Sequence, residues 1–234
     1  MVMLQLDNML LVAAIMGVFG LVILIVLWPG KKHGKRLLKR WGVAEPDDGE
    51  VELAVRYLKR RRLWYPWLFL AIPPLLDDRG LGSILTTLLL GGLIAELLAQ
   101  RPSRGPRREA DLAPRTLLGV VPVWVLVLGG LAAAGSMVHL GLTAQWKLLA
   151  VAAGTVVVSA AITLLAVRRP PAGAPRADLA LRCRSARVAI GLGIGACTAV
   201  GWPAGNLVSF LAVVAGLAGF LAVTAPAKRL PAAA

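Results

Sequence analysis

The feature that most constrains this chain is a succession of seven apolar runs separated by short segments bearing Arg and Lys. The runs are Met9–Trp28, Leu63–Leu76, Leu81–Leu98, Leu117–Val138, Leu148–Val167, Val188–Trp202 and Leu207–Ala225. A helix needs roughly 20 apolar residues to cross a hydrocarbon layer about 30 Å thick. Lipid offers the backbone no hydrogen bonds, so such runs cross as helices. The pattern predicts an all-α, polytopic helical membrane protein with about seven transmembrane helices. Composition agrees: 58% of residues are hydrophobic and only 16% are charged, against about a quarter charged in soluble domains.

Charge sets the expected orientation. With seven crossings and the N-terminus outside, segments 30–62, 101–116, 168–187 and the C-terminal tail lie in the cytoplasm and hold 24 of the 26 Lys and Arg residues; Arg79 and Lys147 fall outside. Lys and Arg concentrate on cytoplasmic loops, so this arrangement is the expected one, with the C-terminus cytoplasmic and the protein in the cell inner (plasma) membrane. Leu63–Leu76 is short and carries Pro66, Pro73 and Pro74, which invites a re-entrant reading. Without that crossing, however, the two later Arg-rich loops would move outside. Trp28, Trp64, Tyr65, Trp146 and Trp202 sit near expected helix ends, where amphipathic rings favour the headgroup region. The run Met9–Trp28 has no basic residue before it and a basic cluster after it, so it reads as an uncleaved helix. The Ala, Leu, Val, Gly, Arg and Pro bias resembles that of a high-GC bacterial genome.

Three parts follow: an N-terminal transmembrane helix (1–29), a basic cytoplasmic segment with a short helix (30–62), and a six-helix transmembrane bundle (63–234). In the middle part, Asp47 suits a helix cap with Glu50 three residues on, and the helix is expected to reach about Arg62. Within the bundle, Leu97-Leu98-Ala99 and Ala110-Asp111-Leu112-Ala113-x-Arg115 recur 67 residues later as Leu164-Leu165-Ala166 and Ala177-Asp178-Leu179-Ala180-x-Arg182. Glu52-Leu53-Ala54-Val55-Arg56 offers a shorter copy. A duplicated unit of inner loop plus two helices would explain the offset. Each copy places an acid and an Arg four apart, which pair across one helical turn, and each is expected as a short amphipathic helix at the inner membrane surface.

Chemistry-bearing constellations are sparse. Glu96 is the nearest approach to an intramembrane acid; it is expected to snorkel and pair with Arg101 or Arg104. Asp77 and Asp78 read as solvated turn residues. His139 and Ser136 lie near the outer end of the fourth span, but no Gly-x-Ser-x-Gly accompanies them. His33 and His139 are too few and too scattered for a metal site, and with no CxxC and with Cys183 in a basic loop and Cys197 in an apolar run, no disulfide is expected. Gly191, Gly193 and Gly195 sit in an apolar helix with no preceding strand, so they are helix-packing residues rather than a nucleotide loop, with Gly191 and Gly195 on one face. Gly91, Gly92, Gly129, Gly130 and Gly216 are read likewise. Pro122 is expected to bend the fourth span, and Trp202-Pro203-Ala204-Gly205-Asn206 to form a tight outer turn.

No catalytic, cofactor-binding or metal-binding residue is nominated and no cofactor is expected. The net charge of +14 comes without the motifs of nucleic-acid binding, so nucleic acid is not an expected partner. The expectation is a non-enzymatic accessory or scaffold subunit whose basic cytoplasmic loops contact a partner or anionic lipid. The alternative is a permease-like component for an apolar or amphiphilic substrate, working with a separate ATPase.

Overall fold

The computed structural model describes residues 14, 15, 17, 18, 20–22, 24–26, 28–71, 81–100, 116–170, 173–202 and 205–226. Among them regular structure is entirely helical. The described residues between 14 and 26 are helical, and nine further helices follow: α1 (Lys31–Arg40), α2 (Asp48–Arg62), α3 (Tyr65–Ala71), α4 (Leu81–Ala99), α5 (Leu117–Val120), α6 (Val123–Leu142), α7 (Trp146–Arg168), α8 (Pro175–Gly201) and α9 (Leu207–Thr224). Four of them, α6 to α9, are long and apolar enough to cross a membrane.

α8 is the axis of the bundle. It packs against α4, α6, α7 and α9 and touches α2 at its start. Its apolar stretch is 94% buried, against 28% or less in the other three long helices. Its neighbours show large apolar side chains outward, among them Val127 and Leu131 on α6, Val157 and Leu164 on α7, and Phe210 and Leu217 on α9. Helices gain little by leaving lipid for another apolar surface, so close backbone approach must join them. Small residues provide it. A Cβ added to Gly191 would stand 2.5 Å from Thr224 Cγ2 on α9, one on Gly193 would stand 3.1 Å from Ser159 Oγ on α7, and one on Gly195 would stand 3.0 Å from Leu89 on α4. The three glycines therefore serve three different neighbours, which corrects the single face expected for Gly191 and Gly195. Gly129 lies against Ile190 and Gly216 against Thr198, as close packing requires, and Gly92 is in ordinary contact with Leu192; Gly130 has nothing within 4 Å.

Three span boundaries differ from expectation. α8 begins at Pro175, thirteen residues before Val188, so a segment expected as loop is helix. The fourth span is broken: Thr116 caps a single turn, α5, and Pro122 stands at the N-cap of α6 instead of kinking its interior. The helix then runs on to Leu142. The run Leu63–Leu76 is helical only over Tyr65–Ala71 among the described residues.

The basic segment holds two helices, not one. In α2 the expected cap forms: Asp47 Oδ1 accepts from Glu50 N at 2.7 Å, and Glu50 Oε2 accepts from Asp47 N at 3.1 Å. α1 precedes it. It ends in a Gly-terminated cap, with Gly42 at φ +92° and Val43 N bonded to Leu38 O at 3.0 Å, the pattern that satisfies the last carbonyls of a helix. Gly34 lets α1 lie close on α2, since a Cβ there would meet Val51 O at 2.9 Å. Leu38, Trp41, Val43, Val51 and Ala54 then join the apolar core that continues into α8.

Candidate functional site

At one end of the bundle, where α1, α2, the start of α8 and the ends of α4, α7 and α9 meet, charges are buried. Successive residues on a helix turn by about 100°, so Arg182, Arg184 and Arg187 on α8 leave in three directions. Each is committed to a different element.

Arg182 is 3% exposed. Its Nε donates to Asp178 Oδ2 at 2.6 Å. Its terminal nitrogens donate to Ala166 O (3.2 Å), Val167 O (3.0 Å) and Arg169 O (2.7 Å). The last carbonyls of a helix have no partner within it and carry partial negative charge, so this guanidinium caps α7. Arg169 shares the same carboxylate at 2.9 Å and reaches Gln100 Oε1 at 3.3 Å, tying in the end of α4.

Arg187 caps α9 in the same way, donating to Val223 O at 2.9 Å. Its guanidinium lies 5.7 Å from the ring centroid of Trp41 and 5.8 Å from that of Trp124. Cation–π contact of this kind strengthens as water is excluded.

The third cluster surrounds Glu96, whose side chain is fully buried. Ser185 Oγ donates to Oε1 at 2.7 Å, and the hydroxyl of Tyr57 donates to the same oxygen. Arg61 Nε lies 2.9 Å from Oε2 and Arg184 Nη1 lies 3.8 Å from it; Arg184 also donates to the Tyr57 oxygen. Burial pushes the Tyr57 phenol up from its usual 10.0 to about 12, with Arg184 opposing the rise. Glu96 therefore does not snorkel. Its partners come from α2 and α8, 35 and more residues away; Arg101 and Arg104 lie outside the described residues. A buried carboxylate needs compensating charge and hydrogen bonds, and the fold supplies both.

Glu50 closes the ring. It is 3% exposed and receives Arg176 Nε at 3.1 Å and Nη2 at 3.3 Å, joining the start of α2 to the start of α8. The acid–Arg spacing of the internal repeat forms its pair in both described copies, Glu52–Arg56 at 3.2 Å and Asp178–Arg182 at 2.6 Å. The Asp178 copy is interior helix, not an amphipathic helix on a membrane surface, because its pair faces α7 and α4. The Asp111–Arg115 copy lies outside the described residues.

Against this locked interior, α1 turns outward. Lys31, Lys32, Lys35, Arg36, Lys39 and Arg40 are all exposed, and among the described residues none is within ion-pair distance of an acid. His33 Nδ1 accepts from Gly30 N at 3.2 Å and closes the helix start.

Comparison with protein-family models, with curated protein sequences and with solved structures finds no match.

The remaining residues singled out from sequence fall apart as chemistry. His139 stacks on Trp202 with ring centroids 4.3 Å apart, and among the described residues the Ser136 hydroxyl, buried against Gly201, has no hydrogen-bond partner. Cys183 and Cys197 are free and buried. Among the described residues no three of His, Cys, Asp and Glu converge. Asp77, Asp78 and Pro203 lie outside the described residues. The arrangement holds helices together and presents cations.

Proposed function

We propose that this chain is a non-enzymatic accessory or scaffold subunit of a bacterial inner (plasma) membrane, whose basic cytoplasmic face contacts a partner or anionic lipid. The observation that carries the reading is the six-cation face of α1, which among the described residues has no acid within ion-pair distance and is seated on a base whose acids Glu50, Glu96 and Asp178 are each held by arginines. Polybasic helices beside a membrane attract anionic surfaces by about 1 kcal/mol per charge near the surface. Arg61, turned in to Glu96, is part of the base, so the docking charge is assigned to α1 and not to the end of α2.

Seven crossings with the N-terminus outside belong to the same proposal. The ends of α4, α7 and α9 and the starts of α6 and α8 meet at the basic end, which supports it. α4 runs antiparallel to α8, with Ala99 beside Leu181 and Leu89 beside Gly195. Residues 63–80 therefore join α2, at the basic end, to the far end of α4, and this supports a crossing there. The duplicated two-helix unit is proposed as well, with Leu97-Leu98-Ala99 and Leu164-Leu165-Ala166 in corresponding final turns of α4 and α7.

The test is affinity purification in mild detergent with mass spectrometry of partners, comparing the natural chain with one carrying Lys31, Lys32, Lys35 and Arg36 changed to Glu. The expected result is loss of bound partners or anionic lipid with an unchanged melting temperature. An identical bound set would overturn the docking role, and a co-purifying ATPase would favour the permease-like alternative. Topology is tested on one helix: in intact cells a membrane-impermeant thiol reagent should label Lys147→Cys and not Arg168→Cys. The reverse pattern sinks the orientation.

A further inference from the structure

Between α6, α7 and α8 lies an apolar cavity of about 310 Å³, a size typical of small-ligand sites. Its floor is Gly193, Ile194 and Cys197 on α8, and its walls include Gly130 and Ala133 on α6 and Ala160 and Leu164 on α7. Gly130 and Leu164 are exposed, so the cavity opens sideways onto the surface that faces lipid. Its polar atoms are already used: Ser159 Oγ donates to Ala189 O at 3.0 Å and Thr163 Oγ1 to Ser159 O at 2.8 Å. An occupant must be apolar where it enters.

Two dimensions select the occupant. The lining of α7 runs from Val156 to Leu164, about 12 Å at 1.5 Å per residue, slightly less than one leaflet of a hydrocarbon core about 30 Å thick. A helix with its side chains is about 10–12 Å across, as broad as the groove is long, whereas a single, slimmer acyl chain can lie along the exposed Gly130, Ala160 and Leu164 over the buried floor. The row Val156, Ala160, Leu164 continues one turn on to Arg168, which is exposed and outside the ion-pair ring. The groove thus ends in a cation at the basic end of the bundle.

We propose that this groove seats one acyl chain of an anionic glycerophospholipid from the leaflet at the basic end, with Arg168 meeting the headgroup phosphate. The site rests on the reading that the basic end borders an anionic leaflet, but it is separate from the contacts of α1.

The test uses the full chain in nanodiscs containing phosphatidylglycerol or phosphatidylcholine with a photoreactive acyl chain, followed by peptide mapping. The expected result is labelling concentrated on the groove segments of α6, α7 and α8, several-fold greater for phosphatidylglycerol. A Cβ at Gly130 meets nothing within 4 Å, so Gly130→Leu should fold and reduce groove labelling several-fold. Arg168→Gln should abolish the headgroup preference while keeping the chain label. The α1 variant with four Glu substitutions should keep groove labelling even if it loses other anionic-lipid contacts, which separates failure here from failure of the docking role. Labelling spread evenly over the lipid-facing helices, or unchanged in Gly130→Leu, overturns the proposal. So does a groove cross-linked in native membranes to another polypeptide, which would make the occupant a partner helix.

Discussion

Glu52-Leu53-Ala54-Val55-Arg56 on α2 and Asp178-Leu179-Ala180-Leu181-Arg182 on α8 share their spacing and the Leu-Ala between acid and base, and both form the pair. Their surroundings are opposite. Glu52 and Arg56 are 71% and 50% exposed, while Asp178 and Arg182 are 5% and 4% exposed. The first pair closes nothing but its own helical turn. The second holds Arg169 and aims Arg182 at the carbonyls that end α7. Local sequence makes the ion pair, and tertiary position decides whether it matters. A solvated pair competes with water and salt. A buried one, once broken, leaves its partner charged with nowhere to go.

The comparison breaks first at Asp178. Asp178→Ala removes the buried carboxylate that Arg182 and Arg169 share and should cost about 3–5 kcal/mol, read as a large fall in melting temperature in detergent. A loss below about 1 kcal/mol would mean that water reaches the site and the contrast with Glu52 is empty. Next is an alkaline test of the same buried base. The Tyr57 phenol has its folded pKa raised to about 12 from 10.0, so the protonated form is favoured in the fold. Its contribution is complete below about pH 10 and is lost as pH rises through about 12, each tenfold change in proton affinity being worth roughly 1.4 kcal/mol. Melting between about pH 9 and pH 12 should show this step in the natural chain and not in Tyr57→Phe.

A third substitution carries the comparison from charges to packing at the opposite end of the bundle. A Cβ at Gly201 would stand 2.5 Å from Ser136 Cβ and 3.0 Å from its Cα, so Gly201→Ala should cost about 1–3 kcal/mol through overpacking. Gly130→Ala, with open space around it, should change melting little. Equal losses at both positions would refute the account of close helix approach. The smallest effect is the sharpest control: Glu52→Ala should cost no more than about 0.5 kcal/mol, and less still in high salt.

What sequence can show follows from range. The Asp47–Glu50 capping box lies within four residues and is legible. So are α7 and α9, whose apolar runs match the helices to within two residues at either end. Pro122 misleads because Leu117–Val138 is apolar without interruption, and hydropathy does not register a change of backbone direction. The hydropathy pattern starts α8 thirteen residues late because Arg176, Arg182, Arg184 and Arg187 look like a solvated loop. Pro175, favoured in the first turn of a helix, is the signal that could have extended it. Glu96 stands out in the sequence, but its neighbours there are Arg101 and Arg104, whereas Tyr57, Arg61, Arg184 and Ser185 reach it only through the fold. α1 escapes a hydropathy reading because its cations outnumber its apolar contacts, and Gly34 has a use only against α2.

The enclosure of α8 has a consequence for biogenesis. It is the least apolar of the four long helices and the most enclosed, and its first half carries Asp178 and four arginines. Partitioning into lipid during synthesis is governed by side-chain transfer, with each ionised group near the helix centre opposing it by about 3 kcal/mol. Its N-terminal half is therefore a poor candidate to leave the translocon unaided. Asp178, the ends of α4 and α7, and the α1–α2 base are all synthesised before Arg182 emerges or together with it, so this half can dock on finished protein. The cap from Arg187 to α9 must wait for the synthesis of α9. Closure of α9 over Arg187 would then follow the docking of α8, and chains truncated before α9 should be held by quality-control proteases with Arg187 uncovered.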